Sequence, residues 1–133
     1  MSEDFYNKII EKLQAVKKLL TPEKSWIKRT EARTKPGGLS VDAEDKTATC
    51  FCLMGAVNAV TKYEHNKDYG IRRDMFKLLA EEIAERPLKE PEWPESVIAT
   101  WNDKRSRTQQ EVLDLVGRTI KKFKKEKKKV VRA

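Results

Sequence analysis

The sequence predicts an α+β fold that is mainly α, a compact bundle of about four to five helices with a short β-hairpin. Three observations favour this class. Apolar residues recur at steps of three and four in several segments, which is the period of an amphipathic helix. Residues 26–34 are instead rich in β-forming residues and lead into a Pro-Gly-Gly turn. The length of 133 residues fits one globular domain, residues 1–123, followed by a basic tail, residues 124–133.

The first two elements follow from local signals. The first helix is predicted to take Ser2 as its N-cap and to run to about Leu20. Pro22 ends it, because proline disfavours the helical conformation at the residue before it. Its apolar residues form one stripe, Phe5, Ile9, Ile10, Leu13, Val16, Leu19 and Leu20. Residues 26–34 are predicted to form a strand that pairs, across the turn at residues 35–38, with either residues 39–41 or residues 47–49.

Two further helices are predicted in the middle of the chain. Residues 50–63 form the first of them, and the small residues Gly55 and Ala56 at its centre let another element approach its backbone. Residues 65–68 are predicted to be a loop. The next helix runs from about Tyr69 to Ala84, and its glutamates are interpreted as a solvated face, Glu81, Glu82 and Glu85. Three prolines in residues 87–94 predict an extended linker.

The last two helices have clear starting signals. Pro94 suits the first position of a short helix that extends through Trp101. Thr108 and Glu111 form a capping box at the start of the final helix. Its apolar face consists of Val112, Leu115, Val116, Ile120 and Phe123. No stripe continues beyond Phe123, so the tail is predicted to be mobile. Of the three tryptophans, Trp26 and Trp101 are expected to be largely buried and Trp93 exposed.

The net charge of +8 lies at one end of the chain. Residues 118–133 hold nine cations and one anion, whereas residues 1–117 have no net charge. Such a block attracts polyanions, so the predicted partner is nucleic acid or an acidic protein surface. The alternative is a solvated helix end, which cations stabilise through the helix dipole. The residues predicted to contact nucleic acid are Lys121, Lys122, Lys124, Lys125, Lys127, Lys128, Lys129 and Arg132, with Arg29, Arg33 and Lys35 of the strand segment as auxiliaries.

Composition excludes several classes of protein. Charged residues make up 38% of the chain, and no apolar run approaches the ~18 residues that a membrane span needs, so no membrane partner is predicted. The acidic start of the chain is unlike a secretory signal peptide, which favours a cytoplasmic location. The two cysteines lie one residue apart, too close for an ordinary disulfide bridge. No Gly-rich phosphate loop, paired catalytic carboxylates or nucleotide fingerprint is present, so no cofactor is predicted.

The two cysteines are candidates for catalytic and metal-binding residues. Cys50 and Cys52 lie near a predicted helix N-terminus, where a thiol pKa is often lowered, but His65, the one histidine of the chain, lies about one helix length away. We therefore interpret both as small buried hydrophobes. Serine at Cys52 is then expected to cost about 1–3 kcal/mol, because its buried hydroxyl would lack a partner. Cys50, Cys52 and His65 would supply three ligands, whereas a structural zinc site needs four, so no metal is predicted.

Three local patterns together resemble a family of small uncharacterised bacterial and bacteriophage domains. They are a Trp followed by a basic arm, Trp26 through Arg33; Cys-x-x-Gly-Ala, from Cys52 to Ala56; and Trp-Asn-Asp followed by Arg-Thr-x-x-Glu-Val, from Trp101 to Asp103 and from Arg107 to Val112. The resemblance covers roughly residues 13–120. It implies a single, mostly helical domain of bacterial or phage origin. It supplies no activity and does not extend to the Lys-rich tail.

The Trp-Asn-Asp segment has two interpretations. It is either a ligand-reading cluster with Arg105 and Arg107 as anion partners, or a helix end at which Asn102 adopts a left-handed conformation and Asp103 caps or pairs with an arginine. We favour the second. The predicted function is therefore that of a non-catalytic accessory protein that binds nucleic acid non-specifically through its tail. The alternatives are a phage-type module that docks on a host protein and a cysteine-dependent hydrolase or transferase.

Overall fold

The computed structural model describes residues 2–62 and 69–132, with the backbone alone at Tyr69 and Arg132. These ranges contain five helices and three short strands. The helices are α1 (Glu3–Leu19), α2 (Leu53–Thr61), α3 (Tyr69–Ala84), α4 (Pro94–Asn102) and α5 (Gln109–Arg132). The strands are β1 (Ala32–Arg33), β2 (Ser40–Val41) and β3 (Cys50–Phe51). The predicted class, α+β and mainly α, is confirmed.

Helices α1 and α5 pack side by side in opposite directions. The side-chain amide of Gln109, at the start of α5, donates to the carbonyl oxygens of Leu20 and Pro22, each at 2.8 Å. Towards the other end, the ring of Phe123 stacks on that of Tyr6, with 4.6 Å between the centroids. Both predicted apolar stripes supply buried residues to the core, where α2, α3 and α4 complete the packing.

The starting signals of α1 and α5 act as the sequence indicates. The Ser2 hydroxyl accepts a hydrogen bond from the Phe5 N–H at 3.2 Å. At α5, the Glu111 carboxylate accepts from the Thr108 N–H at 2.9 Å, and the Thr108 hydroxyl accepts from the Glu111 N–H at 3.2 Å. Both caps satisfy backbone donors that the first helical turn leaves unpaired.

The predicted hairpin is part of a three-stranded antiparallel sheet with the order β2-β1-β3. Of the two pairing options, the first is present, since Ala32 pairs with Val41. The third strand corrects the prediction that the helix starts at about Cys50. The Phe51 N–H donates to the Ser25 carbonyl at 2.8 Å and its own carbonyl accepts from the Ile27 N–H at 3.0 Å. These bonds keep residues 50–51 extended, and α2 begins only after Cys52.

Gly55 is the position where the sheet segment and α2 touch. The Glu31 carbonyl oxygen accepts from the Cys52 N–H at 3.1 Å and lies against the Gly55 backbone. A Cβ atom at Gly55 would stand 1.9 Å from that oxygen. The predicted close approach at Gly55 is therefore present, and the approaching element is the backbone of the arm, residues 26–33.

The ends of α2 and α5 differ from the sequence-based boundaries. Helix α2 ends at Thr61, because Lys62 adopts a left-handed conformation with φ of 49°. Tyr63 and the predicted loop at residues 65–68 lie outside the described residues. Helix α5 continues through residues 124–132, and none of the side chains described at residues 124–131 is buried. That the tail is mobile stays a prediction.

We expect Gly55→Ala to lower the free energy of unfolding by at least about 2 kcal/mol, because the new methyl group would have to displace the Glu31 backbone. Urea denaturation measures this change. Gly117→Ala in α5 is the matched control, since its Cβ would meet only the flexible end of Lys17 at 3.3 Å. That variant should gain up to about 1 kcal/mol from helix propensity. A Gly55→Ala protein as stable as the parent would contradict the close approach.

Candidate functional site

The exposed cations of α5 lie on the face opposite its buried stripe. Lys121, Lys124, Lys125 and Lys128 follow the spacing i, i+3, i+4, i+7, which places them along one side of a helix. All four are exposed, and none has an ion pair within the described residues. We call these four residues the basic ridge. Because this part of the chain is helical, four of the predicted cations face the same direction and form one positively charged surface.

Other predicted cations of α5 have acidic partners. Lys122 Nζ lies 2.8 Å from Glu82 Oε2, and Arg118 Nε lies 3.3 Å from Glu82 Oε1. The Glu82 side chain is only 9% exposed, which corrects its assignment to a solvated face. Lys129 Nζ lies 3.8 Å from Glu126, where both partners are exposed and the pair contributes little. Lys122 therefore serves to hold α5 against α3.

Arg29 and Arg33 lie at the other end of the molecule from the basic ridge. The Arg29 N–H donates to Asp103 at 2.9 Å, and Asp103 precedes the start of α5. Arg33 Nη1 donates to the Gly38 carbonyl at 2.7 Å, within its own hairpin. At about 1.5 Å per residue, Lys124 lies roughly 22 Å along the helix from Gln109. The structure thus separates these auxiliaries from the tail cations.

Asn102 is the hydrogen-bonding centre of the opposite end. Its Oδ1 atom accepts from the Trp26 indole at 2.7 Å and from the Leu53 N–H at 3.1 Å. Its Nδ2 atom donates to the Ile27 carbonyl at 3.1 Å and to Asp103 Oδ1 at 3.0 Å. The side chain is 1% exposed, and its full hydrogen-bonding capacity is used. Asn102 thus joins the arm, the start of α2 and the end of α4.

This arrangement decides between the two interpretations of the Trp-Asn-Asp segment. The sequence predicts a left-handed conformation at Asn102, and this prediction is wrong. Asn102 is the last residue of α4, and Asp103 follows it with φ of −86°. Arg107 stacks over the Trp101 ring at 3.9 Å from the centroid and donates to the Trp101 carbonyl at 2.9 Å. The segment is a helix end held by hydrogen bonds, and of the two arginines considered as anion partners, Arg105 and Arg107, the guanidinium of Arg107 is already engaged.

The three patterns of the sequence analysis meet around a small cavity beside Asn102. Arg29, Glu31, Cys52 and Asp103 contribute to its wall. Its volume of about 190 Å³ is below the roughly 300–1,000 Å³ of typical small-molecule sites. The geometry accounts for these residues by their hydrogen bonds to one another, so the cavity is a gap left between the arm, α2 and α4.

Cys52 is the N-cap of α2. Its Sγ atom accepts from the Gly55 N–H at 3.3 Å. Burial is the main cause that raises the pKa of the Cys52 thiol to about 11, whereas a nucleophilic cysteine needs a lowered pKa. Cys50 is buried in β3. The third residue of the cysteine and zinc hypotheses, His65, lies outside the described residues.

The tryptophans follow the predicted order of exposure. Trp93 is 69% exposed, whereas Trp26 and Trp101 are each partly buried against the core. Within residues 2–62 and 69–132, no cluster of three or more histidine, cysteine, aspartate or glutamate side chains is arranged to hold a metal ion. Over the same ranges, no helix has the length and apolar character needed to cross a membrane.

Comparison with known proteins places the body of the chain in a family. The family of unknown function DUF6197 matches residues 6–122. The chain belongs to this family. No curated protein and no solved structure matches this chain. The DUF6197 match includes Asn102, Cys52 and Glu82 but ends before Phe123, so Lys124, Lys125 and Lys128 of the basic ridge lie outside it.

The hydrogen bond from the Gly55 N–H to Cys52 Sγ corrects the prediction that a serine hydroxyl at this position lacks a partner. We expect Cys52→Ser to keep the stability of the parent, since a hydroxyl is a good N-cap acceptor, whereas Cys52→Ala should lose about 1 kcal/mol. Thermal or urea unfolding of the two variants measures this difference. A serine variant less stable than the alanine variant would contradict the capping role.

Asn102→Ala should lower the free energy of unfolding by about 3 kcal/mol or more, because it leaves the Leu53 N–H and the Trp26 indole without their acceptor. Urea denaturation followed by circular dichroism measures the loss. Asn7→Ala, at an exposed position of α1, is the control and should stay within about 0.5 kcal/mol of the parent. Equal stability of the two variants would show that the Asn102 hydrogen bonds do not organise this end of the fold.

Proposed function

We propose that this protein is a non-catalytic accessory protein that binds nucleic acid through the C-terminal part of α5. The observation that supports it is the basic ridge, in which four exposed lysines share one helix face that carries no acidic residue between Lys121 and Lys128. Beyond Phe123 the helix extends for nine more residues, about 13 Å, and none of the side chains described at residues 124–131 is buried. This part of α5 is therefore accessible to a large polyanion.

The chemistry of the ridge favours phosphate contact over base recognition. Lysine is a compact point charge and lacks the planar fork with which arginine reads guanine. The four ridge residues are all lysines. We therefore expect binding that depends little on sequence and strongly on salt, because the lysines replace counterions condensed on the nucleic acid.

A second candidate function follows from the family match, which covers the body and stops before most of the ridge. If the members of the family share one role, the matched residues 6–122 carry it, and the tail does not. The body would in that case dock on another protein, as a phage-type module docks on a host protein. Both functions, nucleic-acid binding and protein docking, assume that the protein is of bacterial or phage origin and acts in the cytoplasm. The third candidate, cysteine chemistry, is disfavoured by the raised pKa of Cys52.

Replacing the six cations of the tail with glutamine should abolish most nucleic-acid binding without lowering the melting temperature. The replaced residues are Lys124, Lys125, Lys127, Lys128, Lys129 and Arg132. If about four to six of them contact phosphates of duplex DNA, log K for the parent should fall against log salt with a slope of roughly −4 to −5. Fluorescence anisotropy across a salt series, with labelled duplexes of two unrelated sequences, measures both slope and sequence dependence.

The control removes the same amount of charge from the body. Six exposed lysines are replaced with glutamine, Lys8, Lys17, Lys18, Lys24, Lys46 and Lys77. This variant should keep most of the parent's salt slope, because these lysines are dispersed over the surface. Equal losses in the two variants would show that net charge, and not the tail, drives binding. If the parent binds neither DNA nor RNA at low salt, the proposal fails and the protein-docking function becomes the leading candidate.

A further inference from the structure

Trp93 is the one exposed aromatic residue among the side chains that the structure describes. The indole is 69% exposed, although tryptophan is among the side chains that gain most from burial. The seven other aromatic residues whose side chains are described belong to the core or pack against it. Four are buried, Tyr6, Phe51, Phe76 and Phe123, and three are partly buried, Phe5, Trp26 and Trp101. An aromatic face open to solvent is available to a ligand.

The segment that carries Trp93 is fixed by charged hydrogen bonds. Arg86 binds both carboxylate oxygens of Glu92 at 2.7 Å, and Glu92 also accepts from the Lys89 N–H at 2.7 Å. On the other side, the Trp93 carbonyl accepts from the Val97 N–H at 3.2 Å as α4 begins. Trp93 therefore lies between a closed loop and a helix start, which limits the entropy lost when a ligand binds the ring.

A groove connects this segment to α5. The groove lies between the end of α3 and α5, and both Arg86 and Lys125 contribute to its wall. Lys125 belongs to the basic ridge, Arg86 binds Glu92, and Trp93 is the next residue. Trp93 is thus the chain neighbour of a residue that is bound to the wall of the groove.

The charges favour phosphate groups on the ridge over phosphate groups in the groove. The wall of the groove has no net charge, because it holds four carboxylates and four cations, Glu81, Glu82, Glu85, Glu126, Arg86, Lys122, Lys125 and Lys129. The ridge on the solvent face of α5 holds lysines alone and attracts phosphates. A strand whose backbone lies on the ridge would therefore turn its uncharged bases toward the groove and Trp93. In a duplex the bases are stacked on one another and cannot take up this position without unpairing.

We propose that the ligand of this surface is single-stranded nucleic acid, with the basic ridge binding its phosphates and the Trp93 ring stacking on a base. This inference rests on the proposed function and names its substrate class. An aromatic platform beside a positively charged track is the arrangement by which proteins bind single strands with little sequence preference.

The test compares the parent with Trp93→Ala and Trp93→Phe. The probes are a fluorescein-labelled oligo(dT) strand and a labelled DNA duplex of equal length, at low salt. Trp93→Ala should weaken oligo(dT) binding about tenfold and change duplex binding by less than about twofold, while Trp93→Phe keeps most of the affinity because it keeps an aromatic face. Binding of oligo(dT) to the parent should also quench tryptophan fluorescence, and this quenching should be lost in both variants.

Leu39→Ala is the matched control, since Leu39 is an apolar side chain that is 75% exposed and lies in the turn between β1 and β2. It should bind both probes like the parent, and circular dichroism confirms that each variant is folded. If Trp93→Ala binds oligo(dT) like the parent, or weakens both probes equally, the role of Trp93 is wrong while the tail proposal stands. If the parent binds neither probe, both fail. If only the six-glutamine tail variant loses binding, phosphate contact alone explains the affinity.

Discussion

The buried amide of Asn102 is the constraint on which the rest of the structure depends. Its two acceptor and two donor positions are all used, by the arm, by the first residue of α2 and by the end of α4. A buried amide that lost one of these partners would leave a polar group unpaired, so the three segments have one mutual arrangement in which all are satisfied. Because α5 starts seven residues after Asn102, that arrangement also determines where the longest helix begins.

The direction of α5 then follows from its contacts with α1 and α3. Gln109 fastens its start to the end of α1, Phe123 packs on Tyr6, and Glu82 of α3 binds two cations of the helix. The apolar stripe and the basic ridge share the helical period, so burial of the stripe requires the ridge to face solvent. The orientation of the basic ridge is therefore a consequence of core packing, and the ridge lysines need no contact with other elements to face solvent.

The sequence predicted what depends on neighbours along the chain and missed what depends on distant partners. Ser2, Pro94 and the Thr108–Glu111 capping box mark helix starts because each acts within one turn. The extended conformation of residues 50–51 depends on backbone bonds to Ser25 and Ile27. The burial of Glu82 likewise depends on two cations that follow it by more than thirty residues in the sequence, and no local pattern distinguishes it from an exposed glutamate.

The boundary of the family match coincides with a physical boundary in α5. DUF6197 covers residues 6–122, and Phe123 is the last buried residue among the described side chains of the helix. Up to this point each turn of α5 contributes to the core, so its sequence is limited by packing. Beyond it no described side chain is buried, and surface substitutions there change stability little. Charge can therefore be gained or lost in the tail without altering the fold, which makes binding by the tail separable from the hydrogen bonds and packing that hold the body together.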